Sequence, residues 1–132
     1  MDKVTVTLEV EVDPDWIDFC TSSYQDIFIY GYCGYWMQGL EHDDELGWLV
    51  RQSDDDRPAI MVAKDAGYSK IVEAWKTGQD LPEGWHRLNK DAAIKAYAAG
   101  IKRYGLDWYE NGDANTYDFA IQMALLGEIV YG

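Results

Sequence analysis

Basic side chains are almost missing from the first 56 residues, which carry two, Lys3 and Arg51, against 14 Asp and Glu. That stretch therefore holds −12 of the chain's formal net charge of −13, and residues 57–132 stand near neutrality at −1. A surface this poor in Lys and Arg cannot neutralise phosphates, which argues against direct nucleic-acid binding. Cysteine is scarce as well. Cys20 and Cys33 fit neither a Cys-x-x-Cys redox pair nor zinc-ligand spacing, so both are read as reduced, buried thiols. No run of about 18 apolar residues occurs, so no membrane span is expected. No leader peptide is expected either, because Met1 to Lys3 run straight into an alternating pattern. The predicted setting is the cytoplasm. No cofactor fingerprint, metal-ligand spacing or catalytic motif is present. The protein is therefore read as non-enzymatic, with no catalytic residue, no metal and no cofactor.

What the chain has in abundance is aromatic surface. Aromatics are 14% of its 132 residues, with ten Tyr and six Trp. They concentrate in residues 24–37, where Phe28, Tyr30, Tyr32, Tyr35 and Trp36 fall within nine positions around Gly31 and Gly34. So much ring surface is either core, partner contact or a stacking surface. Tyr30, Tyr32, Tyr35 and Trp36 are the candidates for a ligand pocket or a homodimer contact, with core packing as the plain alternative.

The length suits one domain over residues 1–132. Val4, Val6, Leu8, Val10 and Val12 alternate with Thr5, Thr7, Glu9 and Glu11, the clearest strand signal in the chain. Asp13 and Pro14 open a helix, Asp as N-cap and Pro at the first helical position. Its apolar spacing continues to about Tyr30, where Gly31 and Gly34 stop it. Residues 35–41 and 47–52 read as a hairpin. Residues 58–64 read as a short strand, and residues 69–75 fit strand or helix. Residues 85–88 read as a final strand or an extended lead-in to a helix capped by Asn89 and ended by Gly105. In that helix Ile94, Tyr97, Ile101 and Tyr104 recur at three and four, which predicts the inward face. Residues 107–113 read as a polar connection. Asn115 or Thr116 then caps a last, largely apolar helix. Strands grouped before helices predict an α+β domain, an antiparallel sheet of about four strands against two to three helices.

The hairpin tip carries Glu41, His42, Asp43, Asp44 and Glu45, and Asp54, Asp55 and Asp56 follow its second strand. If these loops share a face, Glu41, Asp43, Asp44, Glu45, Asp54, Asp55 and Asp56 offer a partner carboxylates at a density approaching that of phosphates along a strand. A protein with a basic surface is the fitting partner. Such a face can occupy a groove that otherwise holds nucleic acid, which is DNA mimicry. Solvated turns are the plain alternative. Metal binding at His42 to Glu45 is disfavoured, because four adjacent side chains cannot converge on one ion and calcium-loop spacing is missing. His86, between Trp85 and Arg87, has no nucleophile near it in sequence. A pairing with Cys20 or Cys33 cannot be read from spacing.

Three segments carry a family resemblance: Gly34 to Trp36, Gly84 to Leu88 leading into the helix at Asn89, and Ala120 to Gly132. Together they span about a quarter of the chain, and they resemble a group of small proteins encoded by tailed phages and prophages. The resemblance implies a shared fold and a place in phage biology, in a bacterial host's cytoplasm, with a host or phage protein as partner. The matching residues are aromatic, glycine and aliphatic, so no active site is implied. Residues 24–30 depart from the smaller, glycine-richer approach to Tyr35 and Trp36 expected of that group. Three roles follow: a binding protein inhibiting a nucleic-acid-handling or defence enzyme, a nucleotide-like ligand binder using residues 28–36, or a structural phage protein.

Overall fold

The computed structural model describes residues 2–23, 31–53 and 55–132. Within them a three-stranded antiparallel sheet, order β1-β2-β3, is covered by six helices. The elements run α1 (Pro14–Thr21), β1 (Met37–Asp43), β2 (Gly47–Gln52), α2 (Ala59–Ala66), α3 (Tyr68–Lys76), β3 (Trp85–Leu88), α4 (Lys90–Tyr104), α5 (Trp108–Asn111) and α6 (Ala114–Leu126).

The alternation of β2 explains the layering. Successive side chains point to opposite faces, and both faces of this central strand are covered. Val50 belongs to a core that also contains Trp16, Trp36, Met37, Leu88, Ala96 and Ile121. Leu49 belongs to a second core with Ala59, Ala63, Ile71, Trp75 and Trp85. Helices α1, α4 and α6 thus contribute to one side of the sheet, and α2 and α3 to the other. Strand β3 follows the same rule, with Trp85 in the second core and Leu88 in the first.

Aromatic packing fixes the larger core. Trp16 is fully buried and its indole N–H donates to the Ala93 carbonyl at 2.9 Å. Its ring meets Trp108 edge-on at 5.0 Å, and Tyr97, Tyr109 and Tyr117 surround the pair. Trp108 lies so close to α4 that a Cβ on Gly100 would sit 2.2 Å from its ring. Only glycine fits that crossing.

Several sequence expectations are corrected. Residues 4–12 form no strand. Val4, Val6 and Leu8 are 87%, 70% and 67% exposed, and only Val12 packs against the core. A strand needs a neighbour for its N–H and C=O groups, and no described residue supplies one. The expected strand over residues 58–64 is instead helix α2 from Ala59, with Pro58 at its N-cap: Ala59 and Ala63, four apart, are buried while Ile60 and Met61 face out. The sheet accordingly has three described strands rather than about four. The described helices number six rather than two or three, because α2 and α3 (the latter over the ambiguous residues 69–75) and the short α5 within residues 107–113 add to them. Helix α1 ends at Thr21, and its expected continuation through residues 24–30 lies outside the described residues.

Asn89 caps α4 as expected, its side chain accepting the Ala92 N–H at 2.9 Å. The buried face of α4 matches the predicted one at Tyr97 and at Ile101, which packs on the core, but not at its other two positions. It is Ala92, Ala93, Ala96, Tyr97 and Gly100, whereas Ile94 and Tyr104 are exposed. Small residues let α4 approach α6 and α5 closely, and that packing outweighs the size of the aliphatic side chains. The cap of α6 is Asp113, two residues before Asn115 and three before Thr116, and accepts both of their backbone N–H groups at 3.0 and 3.1 Å.

Candidate functional site

The hairpin tip is a built turn. The Asp43 carboxylate accepts the backbone N–H of Glu45 at 2.8 Å and of Leu46 at 3.0 Å, which holds its pKa below the usual carboxylate value. Gly47 then takes φ +78°, and a Cβ there would meet the Leu88 carbonyl oxygen at 2.4 Å. Asp43, Asp44 and Glu45 are exposed at this tip. Glu41, half-buried in β1, accepts a hydrogen bond from the Tyr68 hydroxyl of α3. The tip rests on the end of α1, where His42 Nε2 donates to the Thr21 carbonyl at 2.7 Å. Lys76, Arg87 and Lys90 share a surface depression of about 620 Å³ with Glu45, so the acidic tip borders three cations.

The other acidic loop stands elsewhere. Strand β2 separates it from the tip by five residue steps, roughly 17 Å at about 3.3 Å per residue. Asp55 there is committed locally. It accepts both Arg51 guanidinium nitrogens, at 3.1 and 3.0 Å, and the Arg57 backbone N–H at 2.9 Å. The Arg51 contact is the main reason its carboxyl is held far below the usual range. Asp56 is exposed, and Asp54 lies outside the described residues. The hairpin is thus present, but it puts Asp43, Asp44 and Glu45 at one end of β2 and Asp55 and Asp56 at the other.

The aromatic stretch divides too. Trp36 is fully buried, its ring stacked on Tyr131 at 5.6 Å and 9°. Tyr32 is half-buried and packs on Tyr117 at 5.6 Å. Tyr35 is half-exposed. Tyr30 and Phe28 lie outside the described residues.

These rings are organised by Asp118 of α6, which the sequence reading did not single out. Its carboxylate is buried and receives the Trp36 indole N–H at 2.8 Å, the Gln122 amide at 3.2 Å, the Cys33 thiol at 3.5 Å and the Tyr35 hydroxyl. Gln122, also buried, extends the network. Its side-chain oxygen accepts the N–H groups of Val130 and Tyr131 at 3.0 and 2.9 Å, and its amide donates to the Tyr131 carbonyl at 2.8 Å. The side chain thus stands in for a strand's backbone and ties residues 130–131 to the domain. The signal available in the sequence was a polar pair four apart on an otherwise apolar helix. Beside this hub lies a depression of about 480 Å³ lined by Tyr32, Tyr35, Tyr104, Asp118, Phe119 and Tyr131, among others.

Neither cysteine is an activated nucleophile. Burial pushes both thiols well above their ordinary value, and Cys33 is raised further by Asp118. Burial first, then the Asp118 contact, also raises the Tyr35 hydroxyl. His86 is half-buried with Nε2 2.8 Å from Gln52 Oε1, and burial lowers its pKa. Gln52 in turn donates to the Tyr131 hydroxyl at 3.3 Å, so the imidazole belongs to the hydrogen-bonded scaffold of the sheet. Among the described residues, no three His, Cys, Asp or Glu are grouped to hold a metal. No described helix is long and apolar enough to cross a membrane. Comparisons with protein-family models, curated proteins and solved structures found no match.

Proposed function

We propose that this is a small, non-enzymatic accessory protein that binds another protein through a basic surface on that partner, with Asp43, Asp44 and Glu45 as the principal contact. The observation that carries this reading is the hairpin tip. Its carboxylates are exposed on a turn whose backbone is held by one oxygen of Asp43, Oδ1, which accepts two of its N–H groups. A preorganised charged loop loses little freedom on docking. It also steers encounter with a cationic partner. The finer reading is that this partner is a nucleic-acid-handling or defence enzyme, inhibited by occupation of its groove. It rests on charge and on the resemblance to phage proteins alone. The separation along β2 narrows the contact to one loop, with Asp55 and Asp56 outside it.

The test is retention of proteins from bacterial lysate by the immobilised chain at low and high salt. A partner held at low salt, released at high salt, and lost with Asp44→Asn combined with Glu45→Gln carries the reading. Retention unchanged by that double variant refutes it. Added nucleic acid competes for the same partner if the inhibitor reading holds.

A second reading has its own observation, the 480 Å³ depression with half-exposed Tyr35 at its edge. Its lining contains a carboxylate and no Lys or Arg, so it suits an uncharged ring such as a nucleobase better than a phosphate. Such a ligand raises the unfolding temperature in proportion to ln(1 + [L]/Kd). A nucleobase and nucleoside panel that leaves the melting curve unchanged excludes it.

A further inference from the structure

Residues 2–12 present a strand's sequence without a strand's neighbours among the described residues. Val4, Val6, Leu8 and Val10 are exposed, and no backbone hydrogen bond ties residues 2–12 to any described residue. An alternating, β-branched segment with free backbone groups is a template for pairing with another chain. We propose that residues 2–12 form an intermolecular antiparallel strand pair with the same segment of a second copy, related by a two-fold axis at Thr7.

The sequence selects that occupant and that register. With Thr7 opposite Thr7, Lys3 faces Glu11 and Thr5 faces Glu9, each pair occurring twice by symmetry. On the other face Val4 opposes Val10 and Val6 opposes Leu8. Opposite charges, Thr pairs and β-branched pairs are all favourable directly across a sheet. Parallel, in-register pairing sets Glu9 against Glu9 and Glu11 against Glu11, which is unfavourable. A two-residue shift of the antiparallel register toward the helix draws in Asp13. That carboxylate is already used, because it accepts the Asp15 N–H at the start of α1 at 2.9 Å. The Thr7-centred register pairs residues 2–12 with one another and leaves Asp13 to cap α1. It gives a closed, self-complementary two-fold contact rather than an open chain of copies. The aliphatic side chains of both strands then share one side of the ribbon and cover one another.

The proposal does not depend on the acidic hairpin tip, and salt separates the two. Copies of net charge −13 repel, so dimerisation strengthens as salt screens them, whereas binding of a basic partner weakens. The first experiment is mass determination by sedimentation and light scattering over a dilution series at two salt concentrations. A species of twice the 15.1 kDa chain mass, favoured by salt, is expected. Val6→Lys with Leu8→Lys converts it to monomer with the circular dichroism of the domain unchanged, since both side chains are exposed. The second experiment reads register. Opposed Cα atoms in an antiparallel pair lie about 4.5–5.5 Å apart, within reach of a disulfide. Thr7→Cys therefore cross-links to itself under mild oxidation. Lys3→Cys and Glu11→Cys each stay uncrosslinked alone and link when mixed. A monomer at every concentration and salt overturns the proposal, as does a dimer indifferent to the lysine substitutions. Self-linking at positions 3, 7 and 11 alike overturns the antiparallel arrangement.

Discussion

Residues 4–12 and strand β2 carry the same kind of message and meet opposite fates. Both alternate, and both are rich in residues that favour strands. In β2, Leu49 and Val50 are fully buried on opposite faces of the sheet, between β1 and β3. In the N-terminal segment Val4 is 87% exposed. Strand propensity is a demand for a hydrogen-bonded neighbour on at least one edge and cover on at least one face. The hairpin turn at Asp43 delivers a neighbour to β2 locally, and α2 and α3 supply the cover. Nothing described does so for residues 4–12.

Substitutions that attack each region separately test the contrast. The largest effect belongs to the sheet: Leu49→Ala costs about 2–5 kcal/mol in denaturant unfolding, from lost burial and the cavity left behind. A loss below that of an exposed substitution breaks the assignment of β2 as the shared wall of two cores. Asp118→Ala comes next. It leaves the buried Trp36 indole N–H without its acceptor, at a cost of about 1–3 kcal/mol, and loosens residues 130–131. Amide exchange at Val130 and Tyr131 should accelerate, and unchanged protection there removes Asp118 from the role of hub.

His86 gives a smaller, pH-dependent effect at the edge of the same sheet. Its folded-state pKa lies below the ordinary 6.5 because burial disfavours the cation. The unfolded chain therefore binds the proton more readily. The contribution is fully present above pH 6.5 and is lost as pH falls from there through the lower folded value. The slope of stability against pH below 6.5 should flatten in His86→Gln, measured by urea unfolding at several pH values. An unchanged slope assigns the proton uptake elsewhere. Smallest is Val6→Thr, which should alter stability of the isolated domain by no more than about 0.5 kcal/mol. The same change in β2, at Val50, is far more costly, and equal effects at both sites erase the comparison.

Legibility followed the range of the interactions. The α1 cap at Asp13, the Asn89 cap and the hairpin, read over residues 35–41 and 47–52 and found at Met37–Asp43 and Gly47–Gln52, depend on contacts close along the chain and were readable. Residues 85–88, by contrast, fitted a strand or an extended lead-in, and are a strand through pairing with β2, Trp48 opposite Leu88. The helix over residues 59–66 was misread because Pro58 and a short apolar run suit both periods. What separated them was burial of Ala59 and Ala63 against Leu49 and Trp85, far along the chain. The inner face of α4, right at Tyr97 and Ile101, was misread at its other positions for a related reason. Size suggested Ile94 and Tyr104, but close approach of α6 and Trp108 selected Ala96 and Gly100. Of the candidate site, the acidic tip was legible as a turn. Its separation from Asp55 was not, because it follows from which end of β2 each loop leaves.

The sequence by itself determined the acidic first half, the α+β class, the local caps and the unsatisfied demand of residues 4–12. These are properties of composition and short periods. Only the tertiary structure decided that Trp36 is core rather than surface, that Asp118 and Gln122 gather three segments, and that the acidic loops stand apart. Each of those joins or separates residues tens of positions apart, and the chain's local chemistry carries no record of which distant neighbour a side chain will meet.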